Sequence, residues 1–209
     1  RARRVMPRFL VYGANGYTGE LIAREAVRRG LAPVIAGRSA DAIGRLSTEL
    51  GCEARIAGLD DPGALGRALA GIDVVLHCAG PFSVTAAPMI RACLAAHAHS
   101  LDVTGEIDVF ESAKALDAAA RKAGVTLCPG VGFDVVATDC VAAALAEALP
   151  DASYLALGFD SRSGVSGGTM RSTIESLPRG GRIRSSGALV TVEHAFRVRD
   201  IDFGDGVKQ

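Results

Sequence analysis

The sequence has no tryptophan, few aromatic residues (5%) and no net charge. Its 23 basic residues balance 23 acidic ones, so no basic face calls for nucleic acid or an anionic membrane surface. Lysine is scarce: Lys114, Lys122 and Lys208 are the only three, and the other basic residues are arginine. No apolar run reaches the ~18 residues of a membrane-spanning helix; "CVAAALAEAL" is interrupted by Glu147. The five cysteines (Cys52, Cys78, Cys93, Cys128 and Cys140) are odd in number and form no C-x-x-C. They read as reduced, buried thiols of a cytoplasmic protein. His97 and His99 have no companions at metal-ligand spacing, so no metal is expected. The opening "RARRVMPRFLVYG" lacks the longer apolar region and cleavage site of a signal peptide, and the fold is expected to begin at Phe9.

Short apolar runs alternate with alanine-rich helical stretches. "RFLVYG", "APVIAG", "EARIAG", "DVVLHCAG", "HSLDVTG" and "VTLCPG" read as six strands. The first helix, "GYTGELIAREAVRRG", places Leu21, Ile22, Ala26 and Val27 on one face and ends at Gly30. Further helices are expected over 40–50, from Pro62, from Pro88, over 108–123 and over 135–149. The fourth and sixth strands are nearly all apolar, as strands buried on both faces are. The alternation predicts an α/β fold of the Rossmann type, a doubly wound parallel sheet with helices on both faces.

After Pro150 the texture changes. "SYLALGFD" reads as a strand and "TMRSTIESL" as a helix. "GALVTVEHAFRVRDIDFG" alternates, with Val190, Val192, His194, Phe196 and Val198 on one face, and changes phase after Asp200. It reads as one long half-buried strand with a bulge. Such a strand needs partners, and about sixty residues with two strands and a helix make a poor domain alone. Residues 1–149 are therefore expected to form a dinucleotide-binding domain. Residues 150–209 are expected to be an incomplete part of an α+β substrate or dimerisation domain in a longer chain, with a homodimer as the other source of a partner strand.

"VYGANGYTGE" has Gly13, Gly16 and Gly19 three residues apart, between the first strand and the first helix. A pyrophosphate site asks for a tight turn, close backbone approach and free amides at a helix start. G-x-x-G-x-x-G supplies all three, with one residue more than G-x-G-x-x-G. Extended short-chain dehydrogenases share this spacing but need a Y-x-x-x-K pair. Four residues after Tyr12, Tyr17 and Tyr154 stand Gly16, Leu21 and Gly158, so that chemistry is excluded for this stretch.

An NAD site usually places a carboxylate at the end of the second strand. Here "IAGRS" places Arg38 and Ser39 there, with Arg38 nineteen residues after Gly19. A guanidinium suits a 2′-phosphate and cannot accept from a ribose hydroxyl, so NADP is favoured. Asp60 or Asp61 is expected to contact adenine or to cap the next helix.

The fourth strand ends in "HCAGPF", which carries Ala79, Gly80 and Pro81 past the expected nicotinamide ribose. "LDVTGE" and "PGVGFD" end strands on the same edge. Their Asp102, Glu106 and Asp134 are weak candidates for catalytic contacts, with capping and turn roles as the alternative. His77 is expected to be a satisfied, buried histidine and Cys128 a core thiol.

Taken together, "VYGANGYTGELIA", "AGRS", "VVLHCAGPF", "SLDVTGE" and "PGVGFDVVATDC" resemble the saccharopine dehydrogenase-like NADP-binding family. The resemblance extends through "SGGTMRSTIESL" and "RVRDIDFGDG" to its bacterial branch, which includes trans-acting enoyl reductases of polyketide-lipid synthesis. It implies NADP(H)-dependent redox chemistry, a second α+β domain and a longer chain whose end returns to the first domain. It places the cofactor loop on Gly13, Asn15, Gly16, Tyr17, Thr18 and Gly19, and the phosphate selector on Arg38 and Ser39. Saccharopine enzymes bind an amino-dicarboxylate through arginines of the second domain. Arg162, Arg171 and Arg179 lie in that region without a motif that assigns them this role.

The function expected is an NADP(H)-dependent oxidoreductase, foremost an enoyl reductase acting on a lipid or polyketide chain. A saccharopine-type amino-acid dehydrogenase and a non-catalytic NADP(H)-binding protein are the alternatives.

Overall fold

The computed structural model describes residues 6–158, 164, 167–194, 200–204 and 206–208. The chain divides into two compact units, Arg1–Ala137 and Thr138–Gln209. In the first, the apolar runs form β1 (Phe9–Tyr12), β2 (Val34–Gly37), β3 (Ala54–Ile56), β4 (Val74–His77), β5 (His99–Asp102) and β6 (Leu127–Cys128). All pair in parallel, in the order β3-β2-β1-β4-β5-β6. That is the strand order of dinucleotide-binding sheets, with the switch of direction between β1 and β4.

The first helix, α1 (Tyr17–Arg28), buries Gly19, Ala23 and Ala26, while Leu21 is exposed. The expected Leu21–Val27 face is therefore rotated. Small residues at 19, 23 and 26 share one face at helical spacing and let the backbone close on β1. The helices α2 (Ala40–Leu50) and α3 (Pro62–Leu69) are capped by Ser39, which accepts from the Ala42 amide, and by Asp61, which accepts from the Ala64 amide. Each cap satisfies an amide that the helix itself leaves open.

The next helix, α4 (Phe82–Ala96), starts six residues before Pro88, which lies inside it. Its first amide, on Phe82, donates to the Glu106 carboxylate at 2.9 Å. That long-range cap was not legible from the local sequence. The helical stretch expected over 108–123 is interrupted at Leu116 into α5 (Ile107–Ala115) and α6 (Asp117–Ala123).

Two expectations about burial fail. Strand β6 is a short edge strand with Cys128 exposed, and Cys140 is exposed as well; Cys93 is the buried thiol. In β4 and β5, Val75, His77, Ser100 and Asp102 are buried, whereas Val74, Leu76, His99 and Leu101 are only half-buried. One face of these strands is thus covered more fully than the other. A shallow groove of about 590 Å³ opens beside α1, lined by Leu21, Ile22 and Val103 among others.

Helix α7 (Phe133–Ala148) carries no buried residue. Beyond it, residues 152–158 are irregular, so the strand expected at "SYLALGFD" does not form there, and Asp160 lies outside the described residues. Helix α8 (Gly167–Ser176) is present. The long alternating strand is shorter than expected: β7 (Gly181–Ser185) and β8 (Ala188–Val192) form an antiparallel hairpin. Ser186 and Gly187 turn it with φ of 49° and 81°, the doubly positive geometry that two-residue hairpin loops favour. The partner strand was local, and "GRIRS" carries too little apolar alternation to announce it. Phe196 and Val198 lie outside the described residues. The short strands β9 (Ile201–Asp202) and β10 (Val207–Lys208) pair antiparallel.

Candidate functional site: a dinucleotide cradle

At the carboxyl edge of the sheet, the register aligns Ala36, Tyr12, His77 and Asp102 across β2, β1, β4 and β5. Directly beyond Tyr12 the chain enters the glycine loop. Gly13 has φ of 79° and its amide donates to the Ala36 carbonyl at 2.8 Å. A Cβ there would sit 2.8 Å from the Ala79 Cβ and 2.9 Å from the Ala79 nitrogen. The Gly16 amide donates back to the Gly13 carbonyl at 3.0 Å and closes the turn. A Cβ on Gly19 would strike that same Gly13 carbonyl oxygen and lie 2.9 Å from the Ala14 Cα. Gly13 and Gly19 are thus required by contact, Gly13 by conformation as well.

Gly16 is the N-cap of α1 and provides no side-chain cap. The first-turn amides of a helix have no partners within it, and here they meet the positive end of the helix dipole. Tyr17 and Thr18, the first two helical residues, are exposed. Helices α2 and α3 each close their start with a side chain. An uncapped start preceded by a backbone-only turn is the arrangement that receives a phosphate.

Arg38 follows β2 directly. Its side chain is exposed and forms no ion pair or hydrogen bond among the described residues. The other side of this corner is Asn15, whose Oδ1 lies over Gly37, 2.9 Å from where a Cβ would stand. Ser39 is engaged at the start of α2, its Oγ accepting from the Ala42 amide at a long 3.4 Å. Asp61 caps α3 at 2.9 Å, so the capping alternative is realised for that residue.

Ala79 and Pro81 are half-buried and Gly80 is exposed. Ala79 abuts Gly13, which brings the end of β4 against the glycine loop. Asp102 is almost wholly buried. Its Oδ1 accepts from the Thr104 amide at 3.0 Å and the Gly130 amide at 3.1 Å. Burial raises the Asp102 pKa, against the opposing effect of these two amides. Thr104 is fully buried and its Oγ1 accepts from the Glu106 amide. Glu106 in turn caps α4. Asp102 and Glu106 therefore tie the ends of β5, β6 and α4 together, while Asp134 is exposed in the first turn of α7.

Two residues gain roles that the sequence did not announce. The Tyr12 hydroxyl donates to the Ala57 carbonyl at 2.9 Å, bracing the end of β1 against the chain after β3. Burial raises the Tyr12 pKa, with nearby Arg38 opposing. A tyrosine ending an apolar strand just before a glycine was the available signal. His77 is buried as expected but not satisfied: neither ring nitrogen has a hydrogen-bond partner among the described residues. Cys78, next along, is pushed up to about 12 mainly by burial, which removes it as a nucleophile.

A family model described as the saccharopine dehydrogenase NADP binding domain matches residues 9–128, the whole of this sheet. The chain belongs to that family. Its cofactor is NADP, and the cradle, the uncapped α1 and the free Arg38 fit it. The human saccharopine dehydrogenase-like oxidoreductase is 30% identical over 153 residues, covering 62% of this chain and 35% of its own length. A putative trans-acting enoyl reductase of Mycobacterium tuberculosis is 30% identical over 190 residues, 80% of this chain and 43% of that one. The chain thus spans less than half the length of these relatives. Among solved structures, apo saccharopine dehydrogenase (L-Glu forming) of Saccharomyces cerevisiae matches with a TM-score of 0.58 over 68% of this chain and 31% of that one. At 17% identity it shows the shared fold. Among the described residues, no helix is long and apolar enough to cross a membrane.

Proposed function

We propose that the protein is an NADPH-dependent oxidoreductase that reduces a conjugated C=C bond in a lipid or polyketide chain. The observation that carries this reading is the similarity to the mycobacterial putative enoyl reductase. It extends over 80% of the chain and so past the cofactor domain. NADPH supplies the hydride, to the β-carbon, and a proton completes the α-carbon.

The residues of this chain divide the work. Gly13, Asn15, Gly16, Tyr17, Thr18 and Gly19 hold the pyrophosphate against the start of α1. Arg38, with Ser39, takes the 2′-phosphate through charge-assisted hydrogen bonds. Ala79, Gly80 and Pro81 border the nicotinamide ribose. Asp102 and Glu106 act as positioning residues for the loops beside it. Asp134, the exposed carboxylate of the three, is the candidate to deliver the proton. Residues 1–149 serve as the cofactor domain and 150–209 contribute to a substrate or dimerisation domain. The small-molecule or lipid-chain substrate engages this second part, and the protein works in the cytoplasm.

The test follows NADPH oxidation by the full-length protein, supplied in turn with enoyl thioesters, saccharopine and α-imino acids. Oxidation with enoyl thioesters alone is the expected result. Turnover of saccharopine or imino acids in their place overturns the reading, and NADPH that binds but is never oxidised points to a non-catalytic sensor.

A further inference from the structure

His77 stands at the end of β4, two residues before the Ala79 that abuts Gly13. It is 1% exposed. The Tyr12 ring lies on one side, centroids 5.5 Å apart, and the Phe82 ring meets it edge-on at 5.2 Å. Both ring nitrogens are buried without a hydrogen-bond partner among the described residues. A phenyl ring would pack between these neighbours without two stranded polar atoms, so an imidazole here is the costlier choice.

We infer that His77 is an acid-sensitive latch for the carboxyl edge of β4: its neutral ring holds that edge against the glycine loop, and protonation releases it. The released state lets water reach the ring. The backbone makes the coupling direct, because the Cys78 amide donates to the Tyr12 carbonyl at 2.8 Å, on the link between His77 and the loop.

The titratable groups around the ring do not offset a charge on it. On β1, Tyr12 spends its hydroxyl proton on the Ala57 carbonyl. On β5, Asp102 turns Oδ1 to the Thr104 and Gly130 amides. At the start of α4, Glu106 accepts from the Phe82 amide. Burial alone depresses the imidazole pKa, to about 4, and no charged partner raises it. The unfolded chain takes up this proton near the ordinary value of 6.5. The contribution of the neutral His77 ring to native stability is therefore full above about pH 6.5 and is lost progressively as the pH falls towards 4.

The inference stands apart from the reductase reading and needs no substrate. In the full-length protein, the melting temperature is followed from about pH 7.5 to about pH 4.5 for the native chain and for His77→Phe, which keeps a ring between Tyr12 and Phe82. The native chain is expected to lose more than the variant, with the gap opening below about pH 6.5. NADPH affinity measured alongside is expected to weaken over the same interval in the native chain and less in the variant. Parallel melting profiles overturn the latch. Should His77→Phe fail to fold, the His77 ring resonance in the native chain decides by NMR. A ring that stays neutral until the edge of β4 opens supports the latch, and an ordinary titration near pH 6.5 with the fold intact overturns it.

Discussion

The carbonyl oxygen of Gly13 occupies the space in which any side chain on residue 19 would begin. The two glycines are thus one feature, the floor and the wall of a single turn. Gly19→Ala must push α1 away from β1 or break the turn. It is expected to destabilise by about 1–3 kcal/mol, the range for overpacking a tight site, and to remove NADPH binding measurable by calorimetry. Gly13→Ala adds a positive φ to a clash with Ala79 and should do at least as much harm.

Arg38 is poised differently, exposed and without an intramolecular partner among the described residues. Arg38→Ala should leave the melting temperature of the apo protein nearly unchanged. Loss of hydrogen bonds to a charged group, about 1.5–3 kcal/mol, predicts NADPH affinity weaker by roughly 10- to 100-fold. NADH affinity should be unaffected. Comparing the two affinities at low and high salt isolates the charge, because the NADPH preference should shrink as salt rises.

Ser39 and Asp61 both cap helices, at 3.4 Å and 2.9 Å. Asp61→Ala is expected to cost about 1 kcal/mol of stability with no change in NADPH affinity. Ser39→Ala, losing a longer bond, should cost less stability and weaken NADPH several-fold. Chemical denaturation and a binding titration on the same preparations separate the two effects.

Glu106→Ala leaves the Phe82 amide at the start of α4 without its carboxylate acceptor. A loss of about 1–2 kcal/mol is expected, the range for a missing N-cap. Glu106→Gln keeps an acceptor at the same reach and should recover much of it. If Glu106 instead took part in proton transfer, Gln would rescue stability and not turnover.

Much of the first unit was legible because its signals are local. Six apolar runs became six parallel strands, and the glycine spacing marked the start of α1, which has no side-chain cap. Arg38 stood where a carboxylate would otherwise stand. The failures in the first unit were decided by contacts that the local pattern does not encode. The start of α4 was fixed by Glu106, the buried face of α1 by close contact with Gly13, and the exposure of Cys128 by its strand lying at the sheet edge. In the second unit, the hairpin was set by the backbone of Ser186 and Gly187, where alternation alone suggested one long strand. The three carboxylate candidates were named from the end of β5 and the segments that follow β5 and β6. The sequence did not show that Asp102 and Glu106 spend their oxygens on backbone amides.

Those two carboxylates have a further consequence. Asp102 gathers the amides of Thr104 and Gly130, and Glu106 holds the first amide of α4. The connections after β4, β5 and β6 are thus pinned together at the end of β5 before any ligand arrives. The rim beside the fourth strand is therefore preorganised, and a molecule binding there need not first freeze the loops that receive it.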